Sequence, residues 1–102
     1  MATVTGEVVR LERTADTNSA GAGVHLHLKV KEGTLLVLLG PSWYLDNQAV
    51  RVNTSDKISV KGVRTTLDGQ TAIIAAEVRK GDDVLILRDE NGFPRWAGWR
   101  RR

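Results

Sequence analysis

Hydrophobic residues recur at every second position along much of the chain. Val24, Leu26, Leu28 and Val30 fall on one side of an extended segment and His25, His27, Lys29 and Lys31 on the other, which predicts a half-buried strand over 24–31. Residues 3–13 begin the same way, with Val4, Gly6 and Val8 on one face. The phase then slips, because Val9 and Leu11 lie on the opposite face. An early glycine and a change of phase predict a curved strand that carries a bulge as it bends round a small barrel. Residues 14–23, rich in Asp, Asn, Ser and Gly, predict a loop. Residues 34–39 are apolar on both faces and need cover on both sides.

Gly40-Pro41-Ser42 breaks that strand, and Pro41 suits the first position of a short helix running to about Ala49. Residues 56–66 alternate again, with Ile58 and Val60 opposite Lys57, Ser59 and Lys61. Leu67-Asp68-Gly69-Gln70 predicts a turn into a partner strand over 71–78, and Lys80-Gly81-Asp82-Asp83 a turn into 84–88. Asp89-Glu90-Asn91-Gly92 is a further turn, since Asn-Gly accepts positive φ cheaply.

Three strands, a short helix, two strands and a final hairpin-like element follow the order of the OB-fold, a five-stranded, partly open Greek-key barrel. The expected class is therefore all-β with one short helix: an OB-fold barrel plus a C-terminal β-hairpin or tail. A small SH3-like barrel is the competing reading, but it needs no helix at Pro41–Ala49. A chain of 102 residues supports one such domain without a metal or a disulfide to staple it. The absence of cysteine removes disulfides, thiolate metal sites and cysteine nucleophiles together. The longest apolar run, Leu35 to Leu39, is far short of a membrane helix, and no secretory signal opens the chain.

Net charge is +3, yet its distribution matters more than its sum. Residues 95–102 (Arg-Trp-Ala-Gly-Trp-Arg-Arg-Arg) hold four arginines and no acid, which leaves 11 basic and 12 acidic side chains, about −1, in the first 94. The expected organisation is a barrel over 1–94 and an Arg/Trp tail over 95–102, packed on the barrel or on a neighbouring chain. Attraction to polyanions must come from that tail or from local clusters such as Lys29 with Lys31.

Several stretches taken together resemble a known family: Gly40-Pro41-Ser42-Trp43-Tyr44, Asp56 to Gly62, Ala72 to Val78, and Leu87 to Arg101 with its Trp96-Ala97-Gly98-Trp99-Arg100-Arg101 ending. The chain looks like small OB-fold proteins of the bacterial cell envelope, without a settled function, which are similar to OB-like domains of some magnetosome proteins. The resemblance spans nearly the whole chain. It implies the fold and an extracytoplasmic home, with the chain as a mature form restarted at Met1, and it brings no catalytic or ligand residue with it.

Candidate binding residues fall in three groups. His25 and His27 project from one face of a strand and offer half a metal site, since zinc and copper take three or four protein ligands; a solvated polar face is the plainer reading, and no metal or other cofactor is expected. With Lys29 and Lys31 they occupy the second strand, part of the surface on which OB-folds bind oligonucleotides, but no aromatic residue occurs before Trp43 to stack a base. Trp43 and Tyr44 open the helix, where one ring is expected to plug the barrel while the other reaches its rim. In the tail, Arg95, Trp96, Trp99, Arg100 and Arg101 suit stacking on bases, a membrane interface or packing over the outer face of Leu35–Leu39.

Catalysis has no constellation to stand on: the only histidines lie side by side on one strand, away from any serine–base arrangement. Gly21-Ala22-Gly23 begins a dinucleotide-like pattern that fails at Leu26. Two readings of different kind follow. One is a non-catalytic OB-fold module that grips single-stranded nucleic acid or another anionic polymer. The other is an envelope domain that binds a protein partner or copies of itself through Leu35–Leu39 and the tail, without spanning a membrane.

Overall fold

In the computed structural model the described residues are 2–16, 21–46, 48, 51–67, 69–89 and 91–95; the side chains of 13–16, 21, 22, 42, 43 and 67 lie outside the description. The elements are β1 Ala2–Asp16, β2 Gly21–Val30, β3 Gly33–Pro41, α1 Ser42–Asp46, β4 Lys57–Leu67, β5 Gln70–Lys80 and β6 Asp83–Ile86. The sheet order is β3-β2-β1-β4-β5-β6, and a parallel pairing of β3 with β5 closes the first five strands into a barrel. That closure, with α1 between β3 and β4, is the OB-type topology the element order predicts.

The interior is built from the alternating positions. Val8, Val24, Leu26, Leu28, Leu35, Val37, Leu39, Ile58, Val60, Ile73, Ala75, Val78, Leu85 and Leu87 form one buried cluster, with Tyr44 of α1 packed among them. The phase slip in β1 is a bulge between Val8 and Arg10. The extra residue, Val9, is left on the surface, and Leu11 returns to the inner side opposite Leu26. At the same bend the segment before β4 clips onto β1: Val8 N donates to Asp56 O at 2.9 Å and Ser55 N to Val8 O at 2.7 Å. Strands cross closely at Gly6 and Gly62, where an added Cβ would run into the carbonyls of Lys29 and Ile74.

Three local expectations change. The expected loop over 14–23 is shorter, because Thr14, Ala15 and Asp16 pair with Gly23, Ala22 and Gly21. The sequence of these two stretches, Thr14-Ala15-Asp16 and Gly21-Ala22-Gly23, has no apolar alternation from which a strand could be read. The helix spans only Ser42–Asp46 rather than reaching Ala49, and Pro41 ends β3 opposite Gly23 instead of opening the helix. Lys31 falls in the β2–β3 turn, past the end of β2, so it does not continue the row of His25, His27 and Lys29.

After Leu38 and Ile74 the parallel pairing ends, and Arg88 fills the fork. Its Nη1 donates to the carbonyl oxygens of Leu39 and Ala75. Burial of this guanidinium lowers its pKa from the ordinary value. Beyond it, Arg88 pairs with Pro94, and Arg95 N donates to Leu87 O at 2.8 Å, which makes the expected final hairpin. The tail from Trp96 onward, expected as cover for Leu35–Leu39, lies outside the described residues.

Candidate functional site

The outer face of the barrel carries a polar row beside an apolar one. On β2, His25, His27 and Lys29 point away from the core, and pleating places them opposite Glu12, Arg10 and Glu7 of β1. Across the other edge of β2 the same three residues face Leu38, Leu36 and Thr34 of β3. The parallel register then continues the surface from Leu36 to Ala72 and from Leu38 to Ile74 on β5, with Thr65 and Val63 of β4 beyond. The result is a short apolar strip of Leu36, Leu38, Ala72 and Ile74, walled by histidines and charges on one side and by Val63 and Thr65 on the other. Leu36 and Ala72 are buried within the strip, Leu38 and Ile74 are half-buried, and Val63 is half exposed.

Glu12 organises the polar wall. Its Oε1 accepts from His27 Nε2 at 3.1 Å, and its Oε2 pairs with Arg10 Nη2 at 2.9 Å. The hydrogen bond from His27, helped by the charge of Arg10, holds the Glu12 carboxyl below the usual carboxylate range. Arg10 and His27 of the wall therefore already serve a carboxylate, and Glu7 stands opposite Lys29. Electrostatically this is a mixed surface, unlike a groove lined by one sign of charge.

Sequence reasoning missed Glu12 because it belongs to the opposite phase of a bulged strand. Glu32, the nearest acid in sequence to the histidines, lies in the β2–β3 turn. The signal that finds Glu12 is the slip at Val9: one extra residue puts Arg10 and Glu12 on the outer face, level with His27 and His25. Among the described residues, no three potential metal ligands converge on one point.

The other candidate residues are dispersed. Tyr44 is buried, and its hydroxyl donates to Ile86 O at 3.2 Å, so its ring closes one end of the barrel. Trp43 lies in α1, with its side chain outside the description. Arg95 is exposed at the start of the tail, and Trp96, Trp99, Arg100 and Arg101 lie outside the described residues. The structure thus joins His25, His27 and Lys29 on one face and sets Lys31, Tyr44 and Arg95 apart from them.

At the end of the barrel near α1 a cavity of about 100 Å³ opens among Leu11, Val24, Leu39, Leu45, Val52 and Leu85, with Asp46, Arg51 and Asn53 also lining it. Among the described residues no helix is long and apolar enough to cross a membrane.

Comparison with known proteins adds one relationship. No curated protein and no solved structure matches the chain. The MamS/MamX magnetosome protein family matches residues 1–85, from β1 into β6 and so across the whole closed barrel, and the chain belongs to that family.

Proposed function

We propose that this barrel is a non-catalytic docking domain that binds a protein segment along the outer face of β2, β3 and β5. The observation that carries the reading is the apolar strip Leu36–Leu38–Ala72–Ile74 beside the row His25–His27–Lys29. An extended segment laid there would bury alternate apolar side chains on the strip and place polar groups against the histidines, Lys29 and Glu12. The absence of aromatic side chains from the strip and from the row beside it removes the usual means of holding bases, and Glu12 occupies both His27 and Arg10. The reading places this docking in the bacterial envelope, the setting that the resemblance to small OB-fold envelope proteins implies.

A second reading, binding of single-stranded nucleic acid or another anionic polymer, is favoured by exposed Lys29 and by the four arginines of residues 95–102. Two measurements separate them. Peptides selected from a displayed random library on the full chain should lose binding to Leu38→Glu and to Ile74→Glu, and should tolerate salt. Anisotropy of a labelled single strand of about 15 bases, within the site sizes of OB-folds, should show no binding at low salt. Tight oligonucleotide binding that falls steeply with salt, together with failure to recover any peptide sensitive to Leu38→Glu, would overturn the proposal.

A further inference from the structure

Phe93 is the most exposed large hydrophobic side chain among the described residues, at 66%. It does not hang on a slack loop. The Asp89 carboxylate accepts from Asn91 N and Phe93 N, each at 2.9 Å. Asp89 N donates to Phe93 O and Gly92 N to Asp89 O, each at 3.0 Å. The Arg88–Pro94 bridge and the Arg95 N to Leu87 O bond close the base of the hairpin. A loop fixed by so many bonds presents its aromatic ring at little further cost in ordering, which is what an anchor for association requires.

The molecule also carries a hole suited to such a knob. The cavity near α1 has six aliphatic side chains in its wall and a volume of about 100 Å³. That approaches the roughly 150 Å³ of an engineered apolar cavity that stays dry and takes a benzene ring. Its wall includes Arg51, whose guanidinium donates to the Asp46 carbonyl at 3.0 Å, and Asp46 itself. Phe93 is preceded by Asp89 and Glu90 and followed two residues later by Arg95. An acid and a cation therefore accompany both the knob and the hole, and the acids of the loop complement Arg51 while Arg95 complements Asp46.

We propose that Phe93 of one copy of this chain inserts into the cavity lined by Leu11, Leu39, Leu45, Val52 and Leu85 of a second copy. Phe93 is not part of the cavity wall, so every copy offers both a knob and a hole to its neighbours. One ring is a small anchor, so pairwise association is weak and depends on concentration. This self-association is separate from the docking face of β2, β3 and β5.

The test is sedimentation velocity of the full chain over a wide concentration range, with circular dichroism as the check on folding. The wild type should show a weight-average sedimentation coefficient that rises with concentration. Phe93→Ala should lose that rise and Phe93→Leu should keep most of it. Val52→Trp, which fills the cavity from its own wall, should also lose the rise. A mixture of Phe93→Ala, with its hole intact, and Val52→Trp, with its knob intact, should recover association that neither shows alone. Leu38→Glu should leave self-association unchanged, which separates this contact from the docking face. If Val52→Trp does not fold, Phe93→Ala against Phe93→Leu decides alone. A wild type that stays monomeric, or a Phe93→Ala variant that associates like the wild type, overturns the proposal; association lost only when the chain ends at Arg95 would assign the contact to the tail instead.

Discussion

Tyr44 donates its hydroxyl to the carbonyl of Ile86 across 3.2 Å, tying the five-residue helix that closes the barrel to the strand added after it. Tyr44 is 4% exposed and belongs to the core cluster, so its ring acts as a plug and its hydroxyl as a polar tether to Ile86. Tyr44→Phe should keep the plug and lose the tether, at a cost of about 0.5–1.5 kcal/mol. Tyr44→Ala should empty the end of the barrel and cost about 3–5 kcal/mol. Urea unfolding of the two variants, compared with the wild type, checks both values.

Two glycines make opposite demands, and substitution should tell them apart. Gly62 has no room for a Cβ against the Ile74 carbonyl, whereas Gly69 has open space but a φ of 78°. Gly62→Ala should cost about 1–3 kcal/mol by overpacking. Gly69→Ala should cost about 1–2 kcal/mol through its left-handed backbone. Asn tolerates that backbone, so Gly69→Asn should recover most of the loss while Gly62→Asn should be worse than Gly62→Ala. Thermal melts of the four variants give the comparison.

Much of this arrangement is legible in the sequence, and the exceptions have physical causes. Alternation at 24–30 and 58–60 follows from a core on one side only, and the slip at Val9 announces the bulge. The pairing of Thr14–Asp16 with Gly21–Gly23 leaves no such trace, because these small and polar residues carry no apolar alternation. The demand of residues 34–39 for cover on both faces marks the apolar strip, since Leu36 and Leu38 face outward while Leu35, Val37 and Leu39 face the core. The slip at Val9 puts Glu12 on the outer face, but its bond to His27 and the fork closed by Arg88 join strands distant in sequence, and no local pattern shows those pairings.

Removing the partly buried guanidinium from the fork between β3 and β5 should destabilise the fold. Arg88 supplies donors to the carbonyls of both Leu39 and Ala75, where the strands no longer supply each other. Arg88→Met keeps much of the side-chain bulk and strands both acceptors, at a cost of about 1–3 kcal/mol. Amide exchange of the β3 and β5 residues next to the fork should accelerate in the variant relative to β1.

Stability should fall in acid by a route that two carboxylates share. The His27 hydrogen bond lowers the pKa of Glu12 from its ordinary 4.5, and the Asn53 backbone N–H, then Lys80, lowers that of Asp56 from 3.8. A carboxyl whose pKa is lower folded than unfolded stabilises the fold fully above its unfolded value. That contribution is lost as the pH drops through the lowered, folded value. Unfolding free energy should therefore decline below about pH 4.5, and Glu12→Gln and Asp56→Asn should each make that decline shallower. Denaturant titrations from pH 7 down to pH 3 read the slopes directly.

The central claim, that the outer face of β2, β3 and β5 receives a protein, is tested most directly by site-specific photo-cross-linking in the bacterium that makes the chain. A photoreactive phenylalanine analogue is placed at Leu38, and at Arg79 as an exposed control off the strip. The account predicts discrete protein adducts from position 38, none from position 79, and loss of those adducts when Ile74→Glu is added to the same chain. Equal labelling from both positions, or adducts to nucleic acid instead of protein from position 38, would contradict it.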